Sequence, residues 1–183
     1  MTRRHFAGIA TLGLAILLQH APTFEARAAD APKPFQVSSL HFTQPPSWES
    51  VPTQSSMRKA VLKVPNKAGD PGEVIFFHFG PGGAGGTQAN VDRWFRQFRE
   101  PKDQIKARTE ESKVGNIKLT YVSAEGTYMS GMPGGPQTPK PGYGLLGAII
   151  EDPAGSIFIR FTGPKDLLAT STAEFKKMVE TAK

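Results

Sequence analysis

The residues whose spacing suits chemistry are glycines. Gly80-x-Gly82-x-x-Gly85 stands between an apolar run and an amphipathic segment. In that frame, backbone N–H groups at a helix start can cradle a pyrophosphate. The overlapping Gly80-x4-Gly85-Gly86-Thr87 has the outline of a P-loop, with glycine where the phosphate-reaching lysine belongs. Phosphate or nucleotide binding at Gly80, Gly82, Gly85, Gly86 and Thr87 is therefore one reading. A plain connector that lets the following helix swing back is preferred, because dinucleotide sites belong to parallel doubly wound sheets and this chain offers hairpins.

Other reactive residues are sparse. The chain has no cysteine, hence no disulfide, no thiolate nucleophile and no cysteine metal site. His41 and His78 both fall in strand-like segments, and no His-x-His or His-Glu-x-x-His spacing supports a transition metal. Met129 and Met132 could offer soft copper ligands, but no histidine lies nearby in sequence, and packing is the better reading. No serine lies in a Gly-x-Ser-x-Gly elbow. The acidic pairs Glu110-Glu111 and Glu151-Asp152 sit in charged or turn contexts that solvation explains. Arg93, Arg96 and Arg99 are a candidate partner-facing stripe, against the plainer reading of a solvated helix face. No catalytic residue, cofactor or metal site is assigned.

These residues need elements to hold them. Residues 29–37 read as a flexible lead-in, and a single domain is expected over 38–183. Pro45-Pro46-Ser47-Trp48 is a rigid turn that delivers an indole to the edge of a core. Ala60, Leu62 and Val64 alternate with Lys59 and Lys63, and the nearly continuous apolar run from Val74 to Phe79 follows a turn at 65–72. Together they predict a hairpin. Val91, Trp94, Phe95 and Phe98 then fall at helical spacing, with Thr87 as N-cap. A charged linker at 102–113 leads to a strand at Ile117, Leu119 and Tyr121. Gly131 to Gly144, with five glycines and four prolines, reads as a long exposed loop. Leu145–Ile150 and Ile157–Phe161 make a second hairpin across Asp152-Pro153-Ala154-Gly155. Ser171-x-x-Glu174 reads as the capping box of a last helix with Phe175, Met178, Val179 and Ala182 on its apolar stripe. Hairpins in place of strand-helix-strand units predict an α+β fold on an antiparallel sheet.

Four stretches carry a resemblance: Pro46-x-Trp48, Asn90-Val91-x-Arg93-Trp94, Glu125-Gly126-Thr127-Tyr128, and Phe158-x-Arg160-Phe161-Thr162-Gly163-Pro164. Together they resemble the PsbP-like superfamily over about residues 38–182. That superfamily includes an extrinsic photosystem II subunit, a Ran-binding import factor and many exported bacterial proteins. The resemblance implies an α/β/α sandwich, a central antiparallel sheet with helices on both faces, and binding or scaffolding in place of chemistry. It transfers no functional residue.

Address is the remaining reading. Thr2-Arg3-Arg4-His5-Phe6, the apolar run Ala7 to Leu18 and the step Ala26-Arg27-Ala28 compose a signal peptide, residues 1–28, with cleavage after Ala28. The apolar run falls short of the roughly 20 residues a spanning helix needs, so no membrane span is expected after processing. Of 22 basic and 16 acidic residues, processing removes Arg3, Arg4, Arg27 and Glu25, which leaves 19 and 15. A surplus of four, spread along the chain, does not point to nucleic acid. The reading is a soluble, non-catalytic accessory or binding module, periplasmic or secreted, whose partner is a protein or small ligand of the cell envelope. An enzyme of unrecognised type is a further alternative. Arg3-Arg4 before x-Phe also resembles a twin-arginine export signal. Changing both arginines to lysine is then expected to leave precursor in the cytoplasm, measured by fractionation and immunoblot; undiminished export would exclude that route.

Overall fold

The computed structural model describes residues 33–131 and 134–183. The expected signal and its cleavage position, residues 29–32 of the lead-in, and Met132 lie outside them. Nine strands and two helices follow in the order β1 (Lys33–Val37), β2 (Leu40–Gln44), β3 (Glu49–Ser50), β4 (Arg58–Val64), β5 (Gly72–His78), α1 (Thr87–Phe95), β6 (Arg108–Val114), β7 (Ile117–Gly131), β8 (Gln137–Ile150), β9 (Ile157–Pro164) and α2 (Lys165–Glu180). Seven strands form one sheet in the order β3-β4-β5-β9-β8-β7-β6, and β1 and β2 pair separately. Every pairing is antiparallel. The two expected hairpins are present, as β4–β5 and β8–β9. Among the described residues, no helix is long and apolar enough to cross a membrane.

Strand period divides the apolar residues between two clusters. Leu119 and Tyr121 of β7, Ala148 and Ile150 of β8, and Ile157, Ile159 and Phe161 of β9 pack with Leu168, Phe175, Met178 and Val179 of α2. Their sequence neighbours Val122, Ala124, Leu145, Ile149 and Phe158 pack with Val91, Trp94 and Phe95 of α1. Trp48 is buried against Phe161, ring centroids 5.5 Å apart, and its Nε1 donates to Glu174 at 3.2 Å. It reaches the core edge as the Pro-Pro turn predicts.

Five expectations need correction. Residues 33–37 are strand β1, because Phe35 stacks on Phe42 and meets Phe76 edge-on, which anchors what reads as a lead-in. The stretch expected as a long loop is largely ladder, with Gln137–Tyr143 facing β7. Prolines fit there because β9 ends opposite Tyr143, so beyond that point β8 has β7 as its one partner in the sheet. The register also shifts between Gly126 and Tyr128, beside Pro141 and Gly142. Part of the charged linker is edge strand β6, whose exposed charges suit an edge. Helix α1 is capped by Gly86, not Thr87. Helix α2 begins at Lys165 after Pro164, and Ser171 lies buried in mid-helix, since Leu167 and Leu168 extend the apolar stripe upstream of the supposed capping box.

Trp94 lies close against Gly147 of β8; a Cβ there would overlap its six-membered ring. Gly147→Ala is expected to cost about 1–3 kcal/mol through overpacking, measured as a lower urea midpoint with an unchanged slope.

Candidate ligand groove beside helix α2

The glycine loop is shaped by its own backbone. Gly80, Gly82 and Gly85 have φ of 77°, 70° and 75°, which glycine adopts without strain. Asn90 ties the loop to α1, its Nδ2 donating to the carbonyls of Ala84 and Gly86 at 3.0 Å each. Thr87 Oγ1 donates to Glu151 at 2.8 Å, so a carboxylate already stands at the start of α1. A phosphate arriving there would meet that negative charge. His78 Nε2 lies 3.2 Å from the Ala154 carbonyl oxygen, and His41 is exposed on β2.

The arginine stripe is broken by the helix end. Arg93 donates to Asn90 Oδ1 at 2.9 Å, Arg96 is the C-cap, and Arg99 lies beyond it, its backbone N–H bonded to the Thr127 carbonyl. All three are exposed, but they do not share one helical face. Beneath this segment, Gln97 Oε1 accepts from Tyr128 Oη at 3.0 Å and from Arg160 at 3.2 Å, while the Arg160 guanidinium lies over Phe77.

A concavity lies elsewhere, between α2 and the β6–β7 end of the sheet. It has a volume of about 710 Å³, within the range of roughly 300–1,000 Å³ common for ligand sites. It exists because α2 packs over β8 and β9 and reaches β7 at Leu119 and Tyr121, leaving β6 and the Ser123 stretch of β7 beside it. Leu146, Leu168, Phe175 and the Tyr121 ring give it an apolar floor. Cross-strand pairs share a face, so Arg108 stands beside Ser123 and Glu110 beside Tyr121. On the opposite wall Lys165, Ala169, Thr172 and Lys176 follow helical spacing.

Four cations and two carboxylates line the groove: Lys106, Arg108, Lys165 and Lys176, with Glu110 and Glu125. Lys106 pairs with Glu125 at 3.0 Å and Lys176 with Glu110 at 3.1 Å. The Lys176 ammonium also sits over the Tyr121 ring, 4.7 Å from its centroid. Tyr121 Oη donates to Glu180 at 3.4 Å. Burial, then the Glu180 charge, pushes the Tyr121 phenol above the ordinary tyrosine range. No histidine or cysteine lines the groove.

A second hollow, about 450 Å³, lies beside another face of the first turns of α2, at Asp166, Leu167 and Thr170. There Tyr143 Oη donates to Asp70 at 2.7 Å, and Lys140 is 3.2 Å from the same carboxylate oxygen. The Tyr143 bond, then Lys140, holds the Asp70 carboxyl below its usual value, while burial first and Asp70 second push Tyr143 up to about 12.

No protein-family model and no curated protein sequence matches this chain. Solved structures do. Cyanobacterial PsbP, CyanoP of Synechocystis sp., is similar over 86% of this chain and 95% of its own, with a TM-score of 0.55 and 10% identity. The fold is PsbP-like. LpqN of Mycobacterium tuberculosis, a protein involved in cell envelope biogenesis, is similar over 85% of this chain and 86% of its own, with a TM-score of 0.52 and 10% identity. At that identity the likeness is one of fold, and a PsbP-like fold brings no site residues with it.

Sequence reasoning singled out the glycine loop and the arginines and missed the groove. Its walls come from residues as far apart as Lys106 and Lys176, which no local spacing reports; the one local signal was the helical spacing of Lys165, Thr172 and Lys176.

All three tyrosines of the chain, Tyr121, Tyr128 and Tyr143, are shifted upward, each with burial as the first cause. A phenol whose folded value is raised contributes stability below its unfolded value of about 10 and loses it as pH rises through the folded value. Spectrophotometric titration of the native protein is expected to show less tyrosinate at pH 10 than the protein in urea, where tyrosine is about half-ionised. Equal ionisation in both states at that pH would contradict the upward shifts.

Proposed function

We propose that this protein is an exported accessory module that acts by binding, through the groove beside α2, a protein or small ligand of the cell envelope. One observation carries the reading: an open groove with an apolar floor and a cation-rich rim, built on the exposed β6–β7 end of the sheet. Its titratable groups favour contact over proton transfer. A general acid or base works best with a pKa near the working pH, and burial displaces the groove's tyrosine further from neutrality. The involvement of LpqN, which shares the fold, in cell envelope biogenesis agrees with an envelope role. The N-terminal residues read as a signal peptide agree with it too. We further infer a three-layer arrangement, with α1 and α2 on opposite faces of the sheet. The division of alternate residues of β7, β8 and β9 between the two helix clusters supports it.

A photo-crosslinking amino acid at Thr172, inside the groove, is expected to trap a discrete partner in living cells, while the same residue at exposed Gln54 traps none. The readout is a mass shift on immunoblot followed by mass spectrometry. Equal trapping at both positions, or at neither, would reject the groove as the contact surface.

A further inference from the structure

The groove has an uneven charge pattern. Lys106 and Lys176 each have a carboxylate partner within the groove. Arg108 and Lys165 make no side-chain hydrogen bond or ion pair among the described residues, and they stand on opposite walls, one on β6 and one at the first turn of α2. Both are exposed, so neither owes its place to packing. Lys165 and Lys176 are eleven positions apart on α2, about 16 Å at the rise of an α-helix. Cations converging on one point would suit a single phosphate. Cations spread along both sides of a trough suit a linear ligand with several negative groups, and 16 Å is about five residues of extended chain. The half-buried Leu146 and Thr172 and the buried Leu168 and Phe175 offer the floor that alternate side chains of such a chain would face.

Resting on the binding-module reading above, we infer that the groove receives an extended acidic segment of a partner protein, its carboxylates meeting Arg108 and Lys165. The surface pairs Lys106–Glu125 and Lys176–Glu110 are individually weak and exchange readily for an incoming carboxylate. The contact is therefore steered by charge and weakened by salt.

The test uses the purified protein and the capped peptide Glu-Leu-Glu-Leu-Glu, with Gln-Leu-Gln-Leu-Gln, inorganic phosphate and phosphatidylglycerol vesicles as competing probes. Calorimetry and amide NMR shifts are read together. The acidic peptide is expected to bind, to shift the amides of Ser123, Gly144 and Thr172, and to lose affinity as salt rises. The glutamine peptide should bind about fivefold to tenfold more weakly, as should the acidic peptide to the Arg108→Ala/Lys165→Ala double variant. Arg108→Glu/Lys165→Glu should turn the preference toward Lys-Leu-Lys-Leu-Lys, a gain that misfolding cannot produce. Equal binding of the glutamine peptide, shifts that map outside the groove, or tighter binding of phosphate or vesicles overturns the inference. If the Thr172 crosslink still captures a partner in that event, the binding module stands and only the acidic segment is wrong; if the crosslink fails too, both fall.

Discussion

The segments Gly147–Ile150 and Ile157–Ile159 are dry on both sides, and the rest of the molecule is arranged to make them so. Leu145, Ala148, Ile149, Ile150, Ile157, Ile159 and Phe161 are fully buried. A paired strand with water on neither face needs an apolar layer above and below, which neither β8 nor β9 can supply for the other. Helix α1 brings Trp94 onto Gly147 on one side, and α2 brings Phe175 and Met178 on the other. The small β1–β2 hairpin closes the second layer with Phe35 and Phe42 against Phe76. At roughly 25 cal/mol per Å² of apolar area, burial on this scale stabilises a chain that has no disulfide to assist it.

The same requirement explains where the groove lies. A helix placed to cover β8 and β9 reaches β7 at Leu119 and Tyr121 and has no width left for β6, so Ser123, Arg108 and Glu110 remain beside it. Core packing fixes the position of α2, and the groove is the uncovered margin. Its walls are correspondingly firm at the floor, where Leu168 and Phe175 are core residues, and adjustable at the rim, where lysines end in solvent.

Much of the sheet was legible in the chain. Strand β5 and the β8–β9 hairpin announced themselves through apolar runs bounded by turn residues, because burial on both faces leaves that mark wherever it occurs. Features that depend on neighbours did not. Ser171-x-x-Glu174 satisfies a capping pattern, yet Leu167 packs beside Gly72 and Leu168 beside Gly144, and that packing draws the helix start back to Lys165. Lys33–Val37 has too little period to read as a strand, and it is ordered by the ring of Phe42. The groove is harder still, since its walls are joined only by the sheet, across some seventy residues of chain between Lys106 and Lys176.

The proline-bearing end of β8 carries one more consequence. Beyond Tyr143 it has left β9 behind and would expose a row of unpaired N–H groups, the template on which a foreign strand adds. Pro139 and Pro141 have no N–H to offer, and the shifted register opposite them twists the ribbon. The arm thus projects from the sheet with fewer N–H groups on which a foreign strand could build, a protection supplied by the residues that disguise it as a loop.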